Sequence, residues 1–165
     1  MQLRKIVLGL AAMTMLASCA KEITKAEAVE IAKGYDTANV IYKSGHGKSV
    51  TEVSFSANVP DALKEQYKGG TQEVDFKDET TVVGQRLTAA HVEAAPETAK
   101  FKADGKKLEM SYVLEQEHQR LQSTTYFDEN GYPLGGNSEG TYTLKDGNRS
   151  FLITRKTSST YTWVK

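Results

Sequence analysis

The sequence predicts an α+β fold: an antiparallel, curved β-sheet built as a meander of hairpins, with an N-terminal amphipathic helix packed on one face. Three observations lead to this prediction. Eight tyrosines, many threonines and only three prolines in 165 residues favour strands over disorder. Asp-Gly and Asn-Gly pairs, which favour tight hairpin turns, recur between short apolar runs. One stretch near the N-terminus has the apolar spacing of a helix.

The helix is predicted over residues 23–34. Thr24 and Glu27 have the spacing of a capping box, in which each side chain bonds a backbone amide of the first turn. The helix either ends near Gly34 or continues through Val40 and Ile41. Its apolar stripe consists of Ala28, Ile31, Ala32 and Tyr35.

Residues 44–95 predict a series of short elements. Val53 and Phe55 alternate with polar residues, which predicts a half-buried strand over 50–57 after a flexible loop at 44–49. The other predicted elements are a short helix over 60–67, strands over 71–77 and 80–87, and a helical turn over 88–95 capped by Thr88.

From residue 98 onward the pattern is typical of an antiparallel meander. Asp104-Gly105, Asn130-Gly131 and Asp146-Gly147 each predict a hairpin turn. A last turn is predicted at 157–159, before the apolar residues near the C-terminus. Strands this short and this regularly separated favour hairpin connections over helical crossovers.

The first 18 residues have the three parts of a secretory signal. Arg4 and Lys5 form a positive flank, residues 6–16 form an apolar core, and small residues precede Cys19. The apolar core is shorter than the roughly 20 residues that cross a bilayer as a helix. Cys19 is the only cysteine of the chain, so an intramolecular disulfide is excluded.

The segment Leu16-Ala17-Ser18-Cys19 is a lipobox, and through it the chain resembles bacterial lipoproteins. The resemblance covers the leader alone. It implies attachment of diacylglycerol to Cys19, cleavage before Cys19 and acylation of the new amino terminus. Two or three acyl chains hold a protein firmly on a membrane, whereas one binds only marginally. The expected location is therefore extracytoplasmic, on the cell membrane or an outer membrane.

The expected organisation is a signal peptide at 1–18, a short tether at 19–22 and a single α+β domain at 23–165. Removal of the leader leaves 19 basic against 21 acidic residues, a net charge of −2. This near-neutral balance provides no basic footprint for nucleic acid. The expected partners are instead the membrane, through lipidated Cys19, and a lipid or envelope protein.

Two catalytic patterns occur in incomplete form. Gly47-Lys48-Ser49 resembles the end of a phosphate-binding loop, but Tyr42 stands where the first glycine is required. Residues 136–140 fit the Gly-x-Ser-x-Gly pattern of hydrolases, but that motif needs a helix after it and a later histidine, and the last histidine is His118. We interpret both segments as loops and expect no enzyme activity.

No metal site and no cofactor are expected. Glu115, Glu117 and His118 lie close together in the sequence, but a closed zinc site needs about four nitrogen or sulfur ligands. His91-Val92-Glu93 matches part of a zinc deaminase motif whose paired cysteine ligands this chain does not have.

These observations leave two main hypotheses for function. In the first, a non-catalytic, lipid-anchored domain binds a lipid or acyl chain in its concave sheet, because one helix followed by an antiparallel sheet is similar to half-barrel lipid and lipoprotein carriers. The inward residues that would bind the ligand are Leu108, Met110, Tyr112, Leu114 and Trp163. In the second, the domain is solidly packed and acts as a protein-interaction module of the cell envelope. A hydrolase ranks last, since its residues would have to converge from distant strands.

Overall fold

The structure is a computed structural model that describes residues 20–39 and 42–165, without the side chain of Asp146. The predicted signal peptide and Cys19 lie outside the described residues, as do Val40 and Ile41, the alternative end of the helix.

The described residues form one open, antiparallel sheet with a few helices, as predicted. The elements in chain order are β1 (Lys21–Ile23), α1 (Lys25–Asp36), β2 (Ser44–Phe55), α2 (Asp61–Gln66), β3 (Gly70–Phe76), α3 (Glu79–Val83), α4 (Ala89–Glu93), β4 (Lys100–Asp104), β5 (Lys107–Gln116), β6 (Gln119–Phe127), β7 (Pro133–Asp146) and β8 (Arg149–Val164). The strand order is β1-β4-β5-β6-β7-β8-β2-β3, so that β1 and β3 are the edges.

Local signals placed several elements correctly. The capping box of α1 is confirmed, because the Thr24 hydroxyl accepts from the Glu27 amide and the Glu27 carboxylate accepts from the Thr24 amide at 2.7 Å. The short helix predicted over 60–67 is confirmed as α2, and the turn capped by Thr88 is confirmed as α4. Lys21 and Glu22, expected in the tether, form β1 with Ile23.

Two of the three predicted tight hairpins are present as two-residue turns. Gly105 has φ +60° and Gly147 has φ +58°, and each is the first turn residue, the glycine position of a type II′ hairpin. Gly131 also has a positive φ, of +84°, but it lies in a five-residue loop between β6 and β7.

The prediction of a loop at 44–49 is wrong. These residues begin β2 and pair with β8, and the first pair is Ser44 with Val164. Gly45 and Gly47 stand in this strand because aromatic rings occupy the space of a side chain. A Cβ on Gly47 would lie 2.8 Å from the ring of Tyr161, and the ring of Trp163 covers Gly45 in the same way. Close aromatic contact thus explains glycines that suggested a loop.

Three further predictions are corrected by the structure. The strand predicted over 80–87 is the helix α3, which Asp78 caps by accepting from the Thr81 amide at 2.9 Å. The turn predicted at 157–159 is a continuous part of β8, paired on both sides. The loop predicted at 136–140 lies inside β7, where Gly136 allows close approach: a Cβ there would be 2.5 Å from the Thr124 carbonyl oxygen.

The two faces of the sheet differ in chemistry. Alternation and register place Phe101, Leu108 and Phe127 on one side, which we call the helix face, since α1 and α4 pack there. We call the opposite side, which bears Glu139 and Lys156, the polar face. Apolar strand residues lie mostly on the helix face, so that the core forms on one side of the sheet only.

Two apolar clusters cover the helix face at one end of the sheet, and Val59, Phe151 and Ile153 are buried near the other end. The first joins α1 and α4 to β4, β5 and the end of β6, with Ala32, Tyr35 and Phe101 almost fully buried. The second joins α3 to the end of β3 and includes Phe76, Val82 and Tyr132, with Trp163 packed against it.

We call the end of the sheet that holds the start of β1, the β4–β5 turn, the β6–β7 loop and the end of β8 the proximal end. The opposite end, with the β5–β6 and β7–β8 turns, is the distal end.

The centre of the sheet is a single layer with solvent on both sides. On the helix face, Ser123, Ser138 and Thr157 are only half-buried. On the polar face, their neighbours Gln122 and Lys156 are exposed. Cross-strand pairs and backbone hydrogen bonds, with no apolar layer above or below, therefore hold this part of the sheet together.

The edge strand β3 is exposed along almost its whole length, and charged pairs line it. Lys48 on β2 lies 2.9 Å from the Glu73 carboxylate, and the hydrogen bond from Lys48 lowers the pKa of Glu73. His46 Nδ1 lies 2.8 Å from Asp75, whose pKa is lowered by this contact and by Lys77.

Leu108→Ala and Leu114→Ala test whether the core under α1 and α4 extends along β5. Both leucines are on the helix face of β5, but Leu108 is 2% exposed and Leu114 is 37% exposed. We expect Leu108→Ala to lower the free energy of unfolding by about 2–5 kcal/mol, and Leu114→Ala by about 1 kcal/mol or less. Urea denaturation of residues 20–165 measures both. Equal losses would show that the packed core reaches the distal end of β5.

Candidate functional site

A groove with a volume of about 420 Å³ crosses the polar face of β6, β7, β8 and β2. Its size falls within the roughly 300–1,000 Å³ that is usual for binding sites, and all the residues that line it except Val50 have polar or charged side chains. The side chains that define this polar groove are Glu52, Gln122, Thr124, Asn137, Glu139 and Lys156.

The strand register builds a row of charges across the groove. Lys156 on β8 lies directly opposite Glu139 on β7 and opposite Glu52 on β2. Its Nζ atom lies 3.4 Å from the Glu139 carboxylate. Directly opposed side chains on one sheet face have Cβ atoms about 5 Å apart, so the row presents alternating negative, positive and negative groups.

The neighbouring row is uncharged. Thr124, Asn137 and Ser158 lie opposite one another on β6, β7 and β8, and Val50 of β2 completes the row. The groove therefore offers hydroxyl, amide, carboxylate and ammonium groups, together with one exposed valine. These groups can hydrogen-bond the backbone and side chains of a polar chain.

The helix face behind the groove carries a strip of hydroxyl groups. Ser49 and Ser159 share a hydrogen bond of 2.8 Å, and Thr51 and Thr157 share one of 2.9 Å. A second, smaller concavity of about 110 Å³ lies over Gly136 beside this strip. Both surfaces of the sheet centre are therefore polar.

The residues predicted to bind an apolar ligand share the helix face but do not meet in one pocket. Leu108 is buried in the cluster under α1 and α4, and Met110 packs against the same cluster. Tyr112 is half-buried and Leu114 more exposed. Trp163, three strands away on β8, packs with the second cluster. The crevice beside Leu108 has a volume of only about 20 Å³.

Trp163 belongs to an aromatic group that closes the proximal end of β8 and β2. Its ring stacks on Phe76 at 5.4 Å, and its indole nitrogen donates to the Pro133 carbonyl at 2.7 Å. Tyr42 packs edge-on against Tyr132 at 4.8 Å. These geometries account for the aromatic residues as packing and cross-strand contacts.

Asp128 ties this group to the β6–β7 loop. Its carboxylate accepts from the backbone amides of Asn130 and Tyr132 at 2.9 and 2.8 Å, and from the Tyr42 hydroxyl at 2.6 Å. Burial, followed by the hydrogen bond to Asp128 and its charge, raises the pKa of Tyr42 to about 12. The contact therefore stabilises the neutral phenol.

The histidines and nearby acids make structural contacts. His91 Nδ1 accepts from the Thr88 amide at 3.3 Å, inside the cap of α4. Glu115 pairs with Arg120 at 3.0 Å, and His118 lies 3.4 Å from Glu117 in the β5–β6 turn. Within residues 20–39 and 42–165, no three histidine, cysteine or acidic side chains come together as metal ligands.

The polar groove was not predicted from the sequence. Glu139 fell in the segment read as a loop, and Lys156 lies next to the turn predicted at 157–159. The one available signal was the polar member of each alternating pair, such as Glu52. Alternation alone does not say which strands are neighbours, and register is what brings Glu52, Lys156 and Glu139 into one row.

In comparisons with protein-family models, with curated proteins and with solved structures, no match to this chain was found. In the part of the chain that the structure describes, no helix has the length and apolar character needed to cross a membrane. Function therefore has to follow from the geometry of the sheet and from the leader motif.

Lys156→Glu tests the charge row. It would place three carboxylates directly opposite one another, and we expect the free energy of unfolding to fall by roughly 1 kcal/mol at low salt. Added salt should reduce the loss because it screens exposed charges. Lys145→Glu is the matched control, since Lys145 lies opposite the uncharged Ser150. Urea denaturation at low and high salt measures both, and equal losses would contradict the row.

Tyr42→Phe tests the contact with Asp128. Because the folded-state pKa of Tyr42 is raised from 10 to about 12, the folded protein holds this proton more tightly than the unfolded chain. Its contribution to stability is complete below pH 10 and is lost as the pH rises towards 12. We expect wild-type stability to fall more steeply than that of Tyr42→Phe over this interval. Equal slopes would show that Tyr42 ionises normally.

Proposed function

We propose that the protein is a non-enzymatic module, anchored by lipid to the outside of a bacterial membrane, that binds a partner protein of the cell envelope in the polar groove. The observation that carries the proposal is the contrast between the packed helix face and the open, polar groove.

The anchor is proposed from the lipobox. Cys19 would carry the lipid, and the chain that follows it would be outside the cytoplasm. The near-neutral domain has no basic stripe that would attract it to nucleic acid. Membrane attachment would then depend on the acyl chains of Cys19.

The filled interior favours a protein partner over a lipid cargo. Phe101 and Leu108 are each 2% exposed beneath the helices, so the positions that would face an acyl chain are occupied by the core itself. In this proposal α1 is a structural cover on one face of a curved sheet, and it does not act as a lid over a ligand.

The polar groove fits an extended polypeptide segment. Four neighbouring strands spaced about 4.8 Å apart give it a width of roughly 14 Å, more than one extended chain needs. Its amides and hydroxyls pair with backbone groups, and its charge row complements a segment with an acidic residue between two basic ones. Charges of both signs also favour selection of one partner.

In-cell photocrosslinking of the full chain tests the proposal. A photoreactive phenylalanine derivative replaces Ser158 in the groove, or Ser150 at the distal end of the same face of β8 as the matched control. We expect one discrete protein adduct from position 158, none from position 150, and loss of the adduct in Lys156→Glu. Cys19→Ser should move the protein from the membrane to the soluble fraction.

Two outcomes would overturn the proposal. Equal adducts from both positions would mean that the groove is not the binding site. Native mass spectrometry of residues 20–165 that showed a co-purified lipid would favour the carrier hypothesis and the helix face instead.

A further inference from the structure

The chain enters the sheet at a corner of the proximal end. Lys21 pairs with Ala103, one residue before the end of β4, so Ala20 lies beside the β4–β5 turn. Ala20 also lines a crevice with Asp104 and Lys107. If Cys19 carries the lipid, as the proposed function requires, Ala20 is the only residue between the lipid and the sheet.

The segment from Cys19 to Lys21 is no longer than the headgroup layer of a membrane is thick. Two residues of extended chain reach roughly 7 Å, which limits the distance from Cys19 to Lys21. The polar zone of each leaflet is about 5–8 Å thick, half the difference between the whole bilayer and its hydrocarbon core. The start of β1 and the neighbouring β4–β5 turn are therefore held at the level of the lipid headgroups.

The surface found at this position is concave and polar. A volume of about 550 Å³ lies between the β4–β5 turn and the β6–β7 loop. Lys106 and Lys107 contribute two ammonium groups, and Asp104 and Glu129 contribute two carboxylates. This balanced set complements a zwitterionic phospholipid headgroup, whose phosphate suits the lysines and whose ammonium suits the acids.

The turn is also fixed to the body of the domain. The Tyr35 hydroxyl, near the end of α1, donates to the Lys106 carbonyl. Tyr35 is 1% exposed, and Gly131 of the β6–β7 loop packs against its ring. One buried side chain therefore holds both walls of the concavity, and contact of this surface with a membrane fixes the orientation of the whole domain.

We propose that the proximal end is a membrane-docking surface, in which the β4–β5 turn and the β6–β7 loop rest on zwitterionic phospholipid headgroups. The strands then rise from the bilayer. Lys156 in the groove lies eight residues before the end of β8, roughly 27 Å along the strand, and Asn148 in the β7–β8 turn lies roughly 54 Å from that end. The polar groove is thus presented to a partner away from the lipid.

Fluorescence quenching on the mature lipidated protein, which would begin at Cys19, tests this orientation. The protein is reconstituted into vesicles of phosphatidylethanolamine and phosphatidylglycerol that contain a headgroup-labelled nitroxide lipid. A fluorophore is attached to one introduced cysteine, Lys106→Cys or Asn148→Cys. These positions are matched, because each is the exposed second residue of a two-residue turn after glycine. Lipidated Cys19 has no free thiol to react.

We expect quenching to be several-fold stronger at position 106 than at position 148. A third label, Glu129→Cys, should be quenched like position 106. Equal quenching at 106 and 148, or stronger quenching at 148, would overturn the docking surface, since a sheet lying flat on the membrane gives that result. An intact mass without acyl chains would instead contradict the anchor itself, and the docking surface with it.

Discussion

Strand β8 forms backbone hydrogen bonds with β7 on one side and with β2 on the other. This strand runs without a break from Arg149 to Val164 and is paired along twelve residues with β7 and along twelve with β2. It thereby joins the last hairpin of the meander to β2, a strand from the first third of the chain. The same register places Trp163 over Gly45 at one end and Lys156 between two acids in the middle. A shift of one residue would exchange the two faces of the strand and destroy both arrangements.

The chain places its apolar contacts towards the two ends of this sheet and has polar pairs in the middle. Short side chains such as Ser138 and Thr157 line the helix face of the central strands. Hydroxyl pairs and ion pairs contribute little energy each, so the stability of the centre depends on the apolar contacts on either side of it and on the length of the backbone ladder. This division separates the residues that hold the fold from those available for recognition.

The features that could be predicted from the sequence depend on interactions between residues that are close together in the chain. The caps at Thr24 and Thr88 and the turns at Gly105 and Gly147 involve residues a few positions apart, and all were found. The errors arose where contacts with residues distant in the sequence determine the local conformation. The glycines at the start of β2 stand under rings that lie more than a hundred residues later in the chain. The groove was missed for the same reason, because strand order and register cannot be read from alternation.

The exposed edge strand β3 affects how copies of the protein would interact when they lie side by side. Copies anchored in one membrane in the proposed orientation would face each other side to side, so their sheet edges would meet far more often than in free solution. An uncharged edge strand with Val74 exposed would then favour pairing with the edge strand of a neighbouring copy, and repeated pairing would produce filaments. The charges of Glu73, Asp75 and Lys77 would have to be desolvated in such a contact, at a cost that opposes it. The charges of β3 would therefore oppose edge-to-edge pairing between neighbouring copies.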